Sequence, residues 1–205
     1  MKIPSARRPH GFTLIELLVV IAIIAVLAGG GFAAGNAAIQ KARKTTALAA
    51  ATALESAVNS FFLEYGSMPV AAGTSDTELQ TDQAAGKTLL QVLLALEPEG
   101  SAMLNPRKIK FLSAKEGKAK KNGLIYNSAG TDVEGFFDPW GGPYFLMMDL
   151  DYDERLTVSP KATPKTTSTL NGRRVAVWSN GADCTGLAGS SGAGKATDDV
   201  KTWGN

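Results

Sequence analysis

The chain has 205 residues, of which 44% are hydrophobic and 20% charged, and its formal net charge is +2. This size predicts one modest domain with an attached segment. Lys2, Arg7 and Arg8 supply three positive charges before the first apolar run, so the remainder is close to neutral and gives no case for a nucleic-acid-binding surface. Cys184 is the single cysteine, which excludes an intramolecular disulfide.

An apolar stretch fills residues 12–35 and contains one charged residue, Glu16. The 19 residues from Leu17 to Gly35 carry no charge. As a helix they would span about 28 Å, close to the ~30 Å hydrocarbon core of a bilayer. Basic residues precede the stretch, which places the N-terminus in the cytoplasm. The pattern predicts a single membrane span over about 12–35.

Residues 36–65 are rich in alanine and contain no glycine or proline. Their apolar side chains recur at intervals of three and four residues, which predicts an amphipathic helix continuous with the span, so that residues 12–65 form one helix. Gly66 predicts its end, and the glycines between 29 and 35 mark a weak point. The expected apolar face consists of Ile39, Ala42, Ala49, Ala53, Val58, Phe61, Phe62 and Tyr65.

Residues 66–205 are expected to form a globular head. A short helix is predicted at Lys87–Leu96. Residues 151–154 suit the turn of a hairpin between the second and third of four predicted strands. These strands are Leu124–Tyr126, Tyr144–Leu150, Arg155–Val158 and Arg174–Ser179.

Loop composition marks three other segments of the head, residues 66–86, 99–123 and 159–171. The glycine-rich stretch that begins at Asn180 is too poor in apolar side chains for a core element. Within it, residues 189–195 resemble a phosphate-binding loop. Ala196 stands where that motif needs a serine or threonine, so the similarity is rejected.

Two segments of the head are strongly charged. Residues 107–121 contain seven basic residues and one acidic residue, which is typical of a solvated surface loop; contact with nucleic acid is the less favoured alternative. Asp149, Asp151 and Asp153 have the spacing of the first ligands of an EF-hand loop. The glycine and the distal glutamate of that motif are missing, so the string predicts an acidic turn rather than an ion site.

The apolar run begins with the string Gly11-Phe12-Thr13-Leu14-Ile15-Glu16. A secretory signal peptide is the alternative, but the run is long, continues into an amphipathic helix and contains a carboxylate that is costly inside a bilayer. The string resembles the prepilin signal of type IV pilins and type II secretion pseudopilins. That resemblance implies cleavage between Gly11 and Phe12 by a membrane prepilin peptidase, N-methylation of Phe12, and loss of residues 1–11 as a leader.

Glu16 matches the glutamate of that signal. Cleavage would expose a cationic amine at Phe12 at the start of an apolar helix. The carboxylate of one subunit can neutralise the amine of its neighbour, so that only the correct axial stagger in a polymer satisfies both charges. The alternative is an interfacial glutamate that merely reaches the membrane surface.

Four strings in the head resemble motifs of the major pseudopilin of type II secretion systems, and they occur in the same order. They are Gly66–Pro69, Phe137–Tyr144, Ser179–Asp183 and the pair Asp198-Asp199 before Trp203. Four features depart from that pattern. Cys184 stands where a glycine is usual after the third string, and the loop from there to Asp198 is longer than typical. The insertion over residues 70–137 is also long, and Ala33 replaces a proline that many members have in the membrane helix.

The same resemblance implies calcium binding by the acidic C-terminal loop. It implies Asp183 and Asp198 as ligands, with Asp199 and Ser179 as further candidates. Calcium takes six to eight oxygen ligands, and glycines allow backbone carbonyls to contribute. A mobile, solvated tail is the alternative.

The expected fold is α+β, a type IV pilin fold whose long N-terminal helix packs on a small antiparallel sheet. The expected function is a non-enzymatic pseudopilus subunit that polymerises with itself and other pseudopilins, at the inner-membrane assembly platform and in a periplasmic filament. The head would be periplasmic. The alternatives are a type IV pilus subunit and a DNA-uptake pseudopilin. An enzyme finds no support, since the single histidine is His10 and no catalytic set is visible.

Overall fold

The structure is a computed structural model that describes residues 12–100, 103–160, 162–163, 167–183, 194–195 and 199–204. The leader over residues 1–11 and the candidate ligand Asp198 lie outside these ranges. The chain divides into two compact units, Met1–Ala42 and Arg43–Asn205.

Helix α1 runs over 52 residues from Leu14 to Tyr65 and remains helical through the glycines between 29 and 35. It ends as the sequence predicted. Gly66 adopts a φ of +69°, which favours glycine, and its amide donates to the Phe62 carbonyl at 2.8 Å. The long N-terminal helix of the predicted fold is therefore present.

The apolar part of α1 in the first unit is exposed. Every residue from 12 to 27 is exposed, including Phe12 at 76% and Leu27 at 69%. By length and composition the later stretch Gly35–Tyr65 could cross a membrane, since an 18-residue window within it has a mean hydropathy of 1.2. About a third of that window, 33%, is buried. The exposed N-terminal part fits a single membrane anchor.

Ten strands and a second helix complete the described part of the chain. Helix α2 spans Ala84–Leu94. The strands are β1 (Thr77–Gln80), β2 (Gly123–Tyr126), β3 (Val133–Phe137), β4 (Phe145–Met148), β5 (Arg155–Val158), β6 (Ala162–Thr163), β7 (Ser168–Asn171), β8 (Val175–Ser179), β9 (Gly194–Lys195) and β10 (Val200–Lys201).

The main sheet is antiparallel and has the order β1-β4-β8-β10. Strands β2 and β3 form a second antiparallel pair, β5 and β7 a third, and β6 and β9 a parallel pair. The long N-terminal helix comes first and the antiparallel main sheet follows it, so the predicted α+β class is confirmed.

The main core lies between the second half of α1, helix α2 and the sheet. Leu54, Val58 and Phe61 of α1 are fully buried, as are Leu89 and Leu93 of α2. They meet apolar side chains of β4 and β8 in the same cluster. Burying a leucine or phenylalanine side chain stabilises the fold by about 1.5–3 kcal/mol.

Helix α2 lies very close to the strand that precedes it. A Cβ added at Gly86 would stand 2.1 Å from the Gln80 carbonyl oxygen, so only glycine fits there. The helix begins at Ala84, three residues before the predicted Lys87. The helix ends at Leu94, where Ala95 takes a φ of +60°.

A second apolar cluster lies on the other face of the main sheet. Trp178 of β8 stacks on Phe145 of β4 with ring centroids 5.6 Å apart, and Trp203 meets it edge-on at 5.8 Å. Val200 is 2% exposed and Trp203 is 8% exposed, and both lie at the end of the glycine-rich stretch. The expectation that this stretch supplies no core element was therefore wrong, because its last residues form β10 and bury two large side chains.

The predicted hairpin through residues 151–154 was also wrong. Strand β4 pairs with β1 on one edge and with β8 on the other, so it has no edge left for β5. Strand β5 pairs instead with β7, which lies in the segment 159–171 that was predicted to be a loop. The segment 66–86 likewise contains β1.

The buried face of α1 differs in part from the predicted one. Val58 and Phe61 are buried as expected, whereas Ile39 is 54% exposed and Ala49 is exposed. The face that packs on the sheet contains Ala47, Ala51 and Leu54 instead. In an alanine-rich helix several faces are equally apolar, so the pattern alone did not select one.

Candidate functional site

The N-terminus of α1 is closed by Thr13 and Glu16. The Glu16 carboxylate accepts the backbone amide of Thr13 at 2.8 Å and its hydroxyl at 2.7 Å, while the Glu16 amide donates to that hydroxyl at 3.3 Å. This reciprocal arrangement is a capping box. The carboxylate therefore lies beside Phe12 at the start of the helix, and its charge is compensated by the chain's own donors.

The exposed apolar surface on both sides of Glu16 makes the helix suitable for two environments. Leu14, Ile15, Leu17 and Leu18 are all more than half exposed. In a bilayer such side chains contact lipid, and in a polymer they contact neighbouring helices. Each apolar side chain left in water loses the stabilisation that burial would give.

A buried carboxylate joins two distant motifs in the head. One oxygen of Asp138 accepts the backbone amides of Trp140, Gly141 and Gly142 at 2.7–2.9 Å. The other accepts the Ser179 hydroxyl at 2.5 Å. Burial raises the pKa of Asp138, and these hydrogen bonds oppose that effect.

Tyr144 extends this link to the helix. Its amide donates to the Thr81 hydroxyl at 3.0 Å, and its own hydroxyl donates to the Ala47 carbonyl of α1 at 3.3 Å. Burial, followed by the charge of Asp138, raises the pKa of Tyr144. The segment 137–144 thus ties β3, β4 and α1 together.

The side chains of two of the four candidate calcium ligands, Ser179 and Asp199, are described by the structure. Ser179 is fully buried, and its hydroxyl is already committed to Asp138. Asp183 ends the short 3-10 helix Gly181–Asp183, and Asp198 lies outside the described residues. Asp199 is 6% exposed, and its carboxylate lies 3.6 Å from the Lys201 ammonium.

Asn180 is a further oxygen donor that the sequence did not single out. It is 4% exposed, and within the described part of the chain neither its amide oxygen nor its nitrogen has a hydrogen-bond partner. Val200 pairs with Ser179 in an antiparallel register. The preceding residue Asp199 therefore lies opposite Asn180, which follows Ser179. A buried amide oxygen beside a buried carboxylate is a donor set that suits calcium.

The acidic loop, which we define as residues 149–154, is compact. Asp149 is fully buried and accepts the amides of Asp153 at 3.2 Å and Glu154 at 3.0 Å. Asp151 accepts the Asp153 amide at 3.3 Å. Asp76, from the segment before β1, brings a carboxylate oxygen to within 4.8 Å of those of Asp149 and Asp151.

Electrostatic repulsion accompanies this arrangement. Burial raises the pKa of Asp76 first, and the charges of Asp151, Asp149 and Asp153 raise it further. The pKa of Asp149 is also raised, chiefly by burial. The predicted acidic turn is present, although it connects strands of two different sheets.

The lysine hairpin, which we define as residues 118–121, projects from the basic segment. Lys118 and Lys121 exchange backbone hydrogen bonds of 3.0 and 3.1 Å. Ala119 and Lys120 between them have φ values of +51° and +55°, the combination of a type I′ turn. Arg107 and Lys108, at the other end of the basic segment, instead form ion pairs with Glu64 and Glu99.

The sequence located several of these groups but not their partners. It singled out Glu16 and missed Thr13, although a threonine three residues before a glutamate is the pattern of a capping box. It located the strings that contain Asp138 and Ser179 but not the bond between them. Asn180 lies within the string Ser179–Asp183 but was not proposed as a ligand, because one asparagine in a loop predicts nothing about burial.

The chain matches one known family, the prokaryotic N-terminal methylation motif, over residues 6–32. No curated protein and no solved structure matches it significantly. The matched segment contains the string Gly11–Glu16 and the first part of α1. The chain therefore carries a prepilin-type methylation motif on an α+β fold, which is consistent with a type IV pilin-like protein.

Proposed function

We propose that this type IV pilin-like chain is a subunit of a type II secretion pseudopilus, which polymerises through its N-terminal helix to drive protein export across the outer membrane. The role is structural rather than catalytic. The prepilin motif implies processing by a prepilin peptidase and assembly into polymers. The choice of the secretion system rests on the head.

The observation that carries this choice is the hydrogen bond between Asp138 and Ser179, 41 residues apart in sequence. Each residue belongs to a different string that resembles the major pseudopilin. Independent chance matches have no reason to meet in space, whereas these two share one buried contact. The resemblance of the head is therefore supported by a physical connection between its parts.

In the proposed processing, the peptidase cuts between Gly11 and Phe12, and the new Phe12 amine is methylated. Phe12 is 76% exposed, as the substrate of both steps must be. The subunit then lies in the inner membrane with its head in the periplasm. Other pseudopilins and the inner-membrane assembly platform are the expected partners.

Glu16 would select the register of the polymer. In the single subunit its carboxylate is satisfied by Thr13. On assembly it would turn toward the Phe12 amine of a neighbour, and a wrong stagger would leave both charges unpaired among apolar side chains. An unpaired buried charge costs several kcal/mol, far more than one apolar contact gains.

We further propose that calcium orders the C-terminal loop. Asp199 and Asn180 would contribute oxygens from the described part of the site, and Asp183 and Asp198 would complete the ligand set. The metal would supply charge neutralisation and order, without chemistry. We expect calcium to raise the melting temperature of the full chain in detergent, and chelator to reverse this. An unchanged melting temperature would remove calcium from the proposal.

The proposed function is tested by deleting the gene and measuring three activities in the same strain: protein secretion, surface motility and DNA uptake. We expect loss of secretion alone, with restoration by the wild-type gene. Loss of motility alone would assign the chain to a type IV pilus.

Loss of DNA uptake alone would assign the chain to a competence system. The exposed lysine hairpin is the observation that favours this second candidate, because clustered cations bind phosphates and do so more weakly at high salt. Binding of the full chain to DNA that declines steeply with salt would support it.

A further inference from the structure

The head carries two exposed loops of opposite charge that are not paired with each other. The lysine hairpin presents Lys118, Lys120 and Lys121, all exposed. The acidic loop presents Asp151 and Asp153, also exposed. Among the described residues, none of these five side chains takes part in an ion pair.

Hydrogen bonds and packing fix the backbone of the lysine hairpin. Its two-residue turn is closed by backbone bonds on both sides. Lys121 lies against the turn that Asp138 organises, because a Cβ added at Gly141 would stand 3.3 Å from two of its side-chain carbons. The ammonium groups are therefore presented from a fixed backbone, which lowers the entropy cost of a contact.

The acidic loop is likewise held by backbone hydrogen bonds and carries excess negative charge. Asp149 accepts two amides of the loop, and the Arg155 amide donates to Asp153 at 2.8 Å. Glu154 is paired with Arg174 at 3.2 Å. In the described part of the chain, no lysine or arginine forms an ion pair with Asp149, Asp151 or Asp153. An external cation would relieve the repulsion that these carboxylates exert on Asp76.

We propose that the lysine hairpin of one head docks on the acidic loop of the next copy in the polymer. The proposal rests on the proposed polymerisation and adds a second contact to the one made by the N-terminal helices. Three cations face a cluster of unpaired carboxylates, so the two surfaces are complementary in sign. Repetition of the contact along a polymer would fix the rotation between successive heads.

A second copy suits this site better than a separate partner. Both loops are on the same chain, so every interior subunit of a polymer offers both surfaces at equal concentration. The high effective concentration within a polymer allows individually weak surface ion pairs to act together. A divalent cation on the carboxylates, or an anionic polymer on the lysines, would each use only one of the two loops.

The test is a charge reversal in the full chain, expressed with its assembly machinery. The variants Lys118→Glu/Lys120→Glu/Lys121→Glu and Asp151→Lys/Asp153→Lys should each reduce the yield of sheared filaments by about tenfold, because like charges would then face each other. The combination of both sets restores opposite signs and should recover most of the wild-type yield. Recovery by the combined variant is the result that a folding defect would not produce.

The matched control changes three lysines outside the hairpin, Lys87→Glu/Lys110→Glu/Lys115→Glu, and should leave the yield within about twofold of wild type. Equal losses in the control and hairpin variants would assign the effect to net charge and overturn the proposal. So would failure of the combined variant to recover. Normal filaments from every variant would also overturn it. That result would not affect the proposed function, which is tested separately by the gene deletion.

A crosslink gives a measurement that does not depend on yield. In a Cys184→Ser background, Lys120→Cys and Asp151→Cys together should form disulfide-linked ladders in filaments, and either alone should give at most dimers. Absence of ladders from normal filaments would exclude the contact. If chelator increases ladder formation, calcium competes for the acidic loop. If added DNA reduces ladder formation, DNA competes for the lysines. Either result would support the proposed contact, because each competitor blocks one of its two loops.

Discussion

The two units use the same kind of side chain in opposite ways. From residue 12 to residue 27 the leucines, isoleucines and valines of the first unit are exposed, whereas the same residue types in α2 and β8 are almost completely buried. The head satisfies its apolar surface within one chain. The N-terminal segment leaves its apolar surface exposed, which fits a membrane anchor and the proposed contact with other subunits.

The largest effect is expected at Glu16, the charged residue within the exposed segment. Glu16→Ala should abolish filaments while leaving membrane insertion and leader cleavage intact, because the neighbour's Phe12 amine would lose its counter-charge. Immunoblotting of sheared filaments and of membrane fractions measures the two effects separately. Thr13→Ala, which removes the capping hydroxyl but keeps the carboxylate, is the control. Filaments of normal length from Glu16→Ala would contradict the register argument.

The next largest effect is expected at Phe61, on the buried face of the same helix. Its ring is fully buried and lies 4.7 Å from Tyr65 and 5.3 Å from Phe111 between centroids. Phe61→Ala should lower the free energy of unfolding of the head by about 3–5 kcal/mol. Leu63, two residues on, is 83% exposed, and Leu63→Ala should change it by less than about 0.5 kcal/mol. Denaturant unfolding of the full chain in detergent, followed by tryptophan fluorescence, compares them.

A smaller loss is expected at the polar contact inside the head. Asp138→Ala leaves three backbone amides and the Ser179 hydroxyl without an acceptor and should cost about 3 kcal/mol. Asp138→Asn keeps a carbonyl oxygen for the three amides and should cost less than half as much. Equal losses from the two substitutions, in the same unfolding assay, would show that charge matters more than the hydrogen bonds.

The smallest effect is expected at Asp76, whose carboxylate lies beside the acidic loop. Because the pKa of Asp76 is raised in the folded chain, the folded state binds more protons than the unfolded state, so this group's stabilising contribution is present at low pH and is lost as pH rises above about 4. Asp76→Asn should remove this slope and change stability by about 0.5 kcal/mol or less. Glu134→Gln, with the same change in charge on β3, controls for net charge. Matching pH profiles for wild type and Asp76→Asn would contradict the prediction.

The sequence predicted the parts of this molecule that depend on local pattern. The end of α1 at Gly66 was predictable because glycine favours the left-handed conformation, and four strands were located by runs of apolar side chains. Strand β7 was missed because Ser168–Asn171 is polar, and its pairing with β5 depends on which edges of β4 are already occupied. Which strands pair depends on the whole sheet, so it cannot be predicted from a string of four residues.

The candidate sites were also predictable only where they depend on local sequence. The string around Glu16 is contiguous, so its residues could be recognised together. The contact between Asp138 and Ser179 joins residues 41 positions apart, and Asp76 meets Asp149 from a different part of the chain. Such contacts follow only from the fold.

The capping box at the start of α1 has a consequence for turnover. Moving a glutamate with no partner into the bilayer costs free energy, both at insertion and when a subunit leaves a filament. A filament that depended on such a residue would therefore be difficult to disassemble. Here the carboxylate already has Thr13 as its local partner in the single subunit. We expect the exchange between the local partner and a neighbour's amine to run in either direction at modest cost. Subunits released from a filament could then re-enter the membrane and be used again.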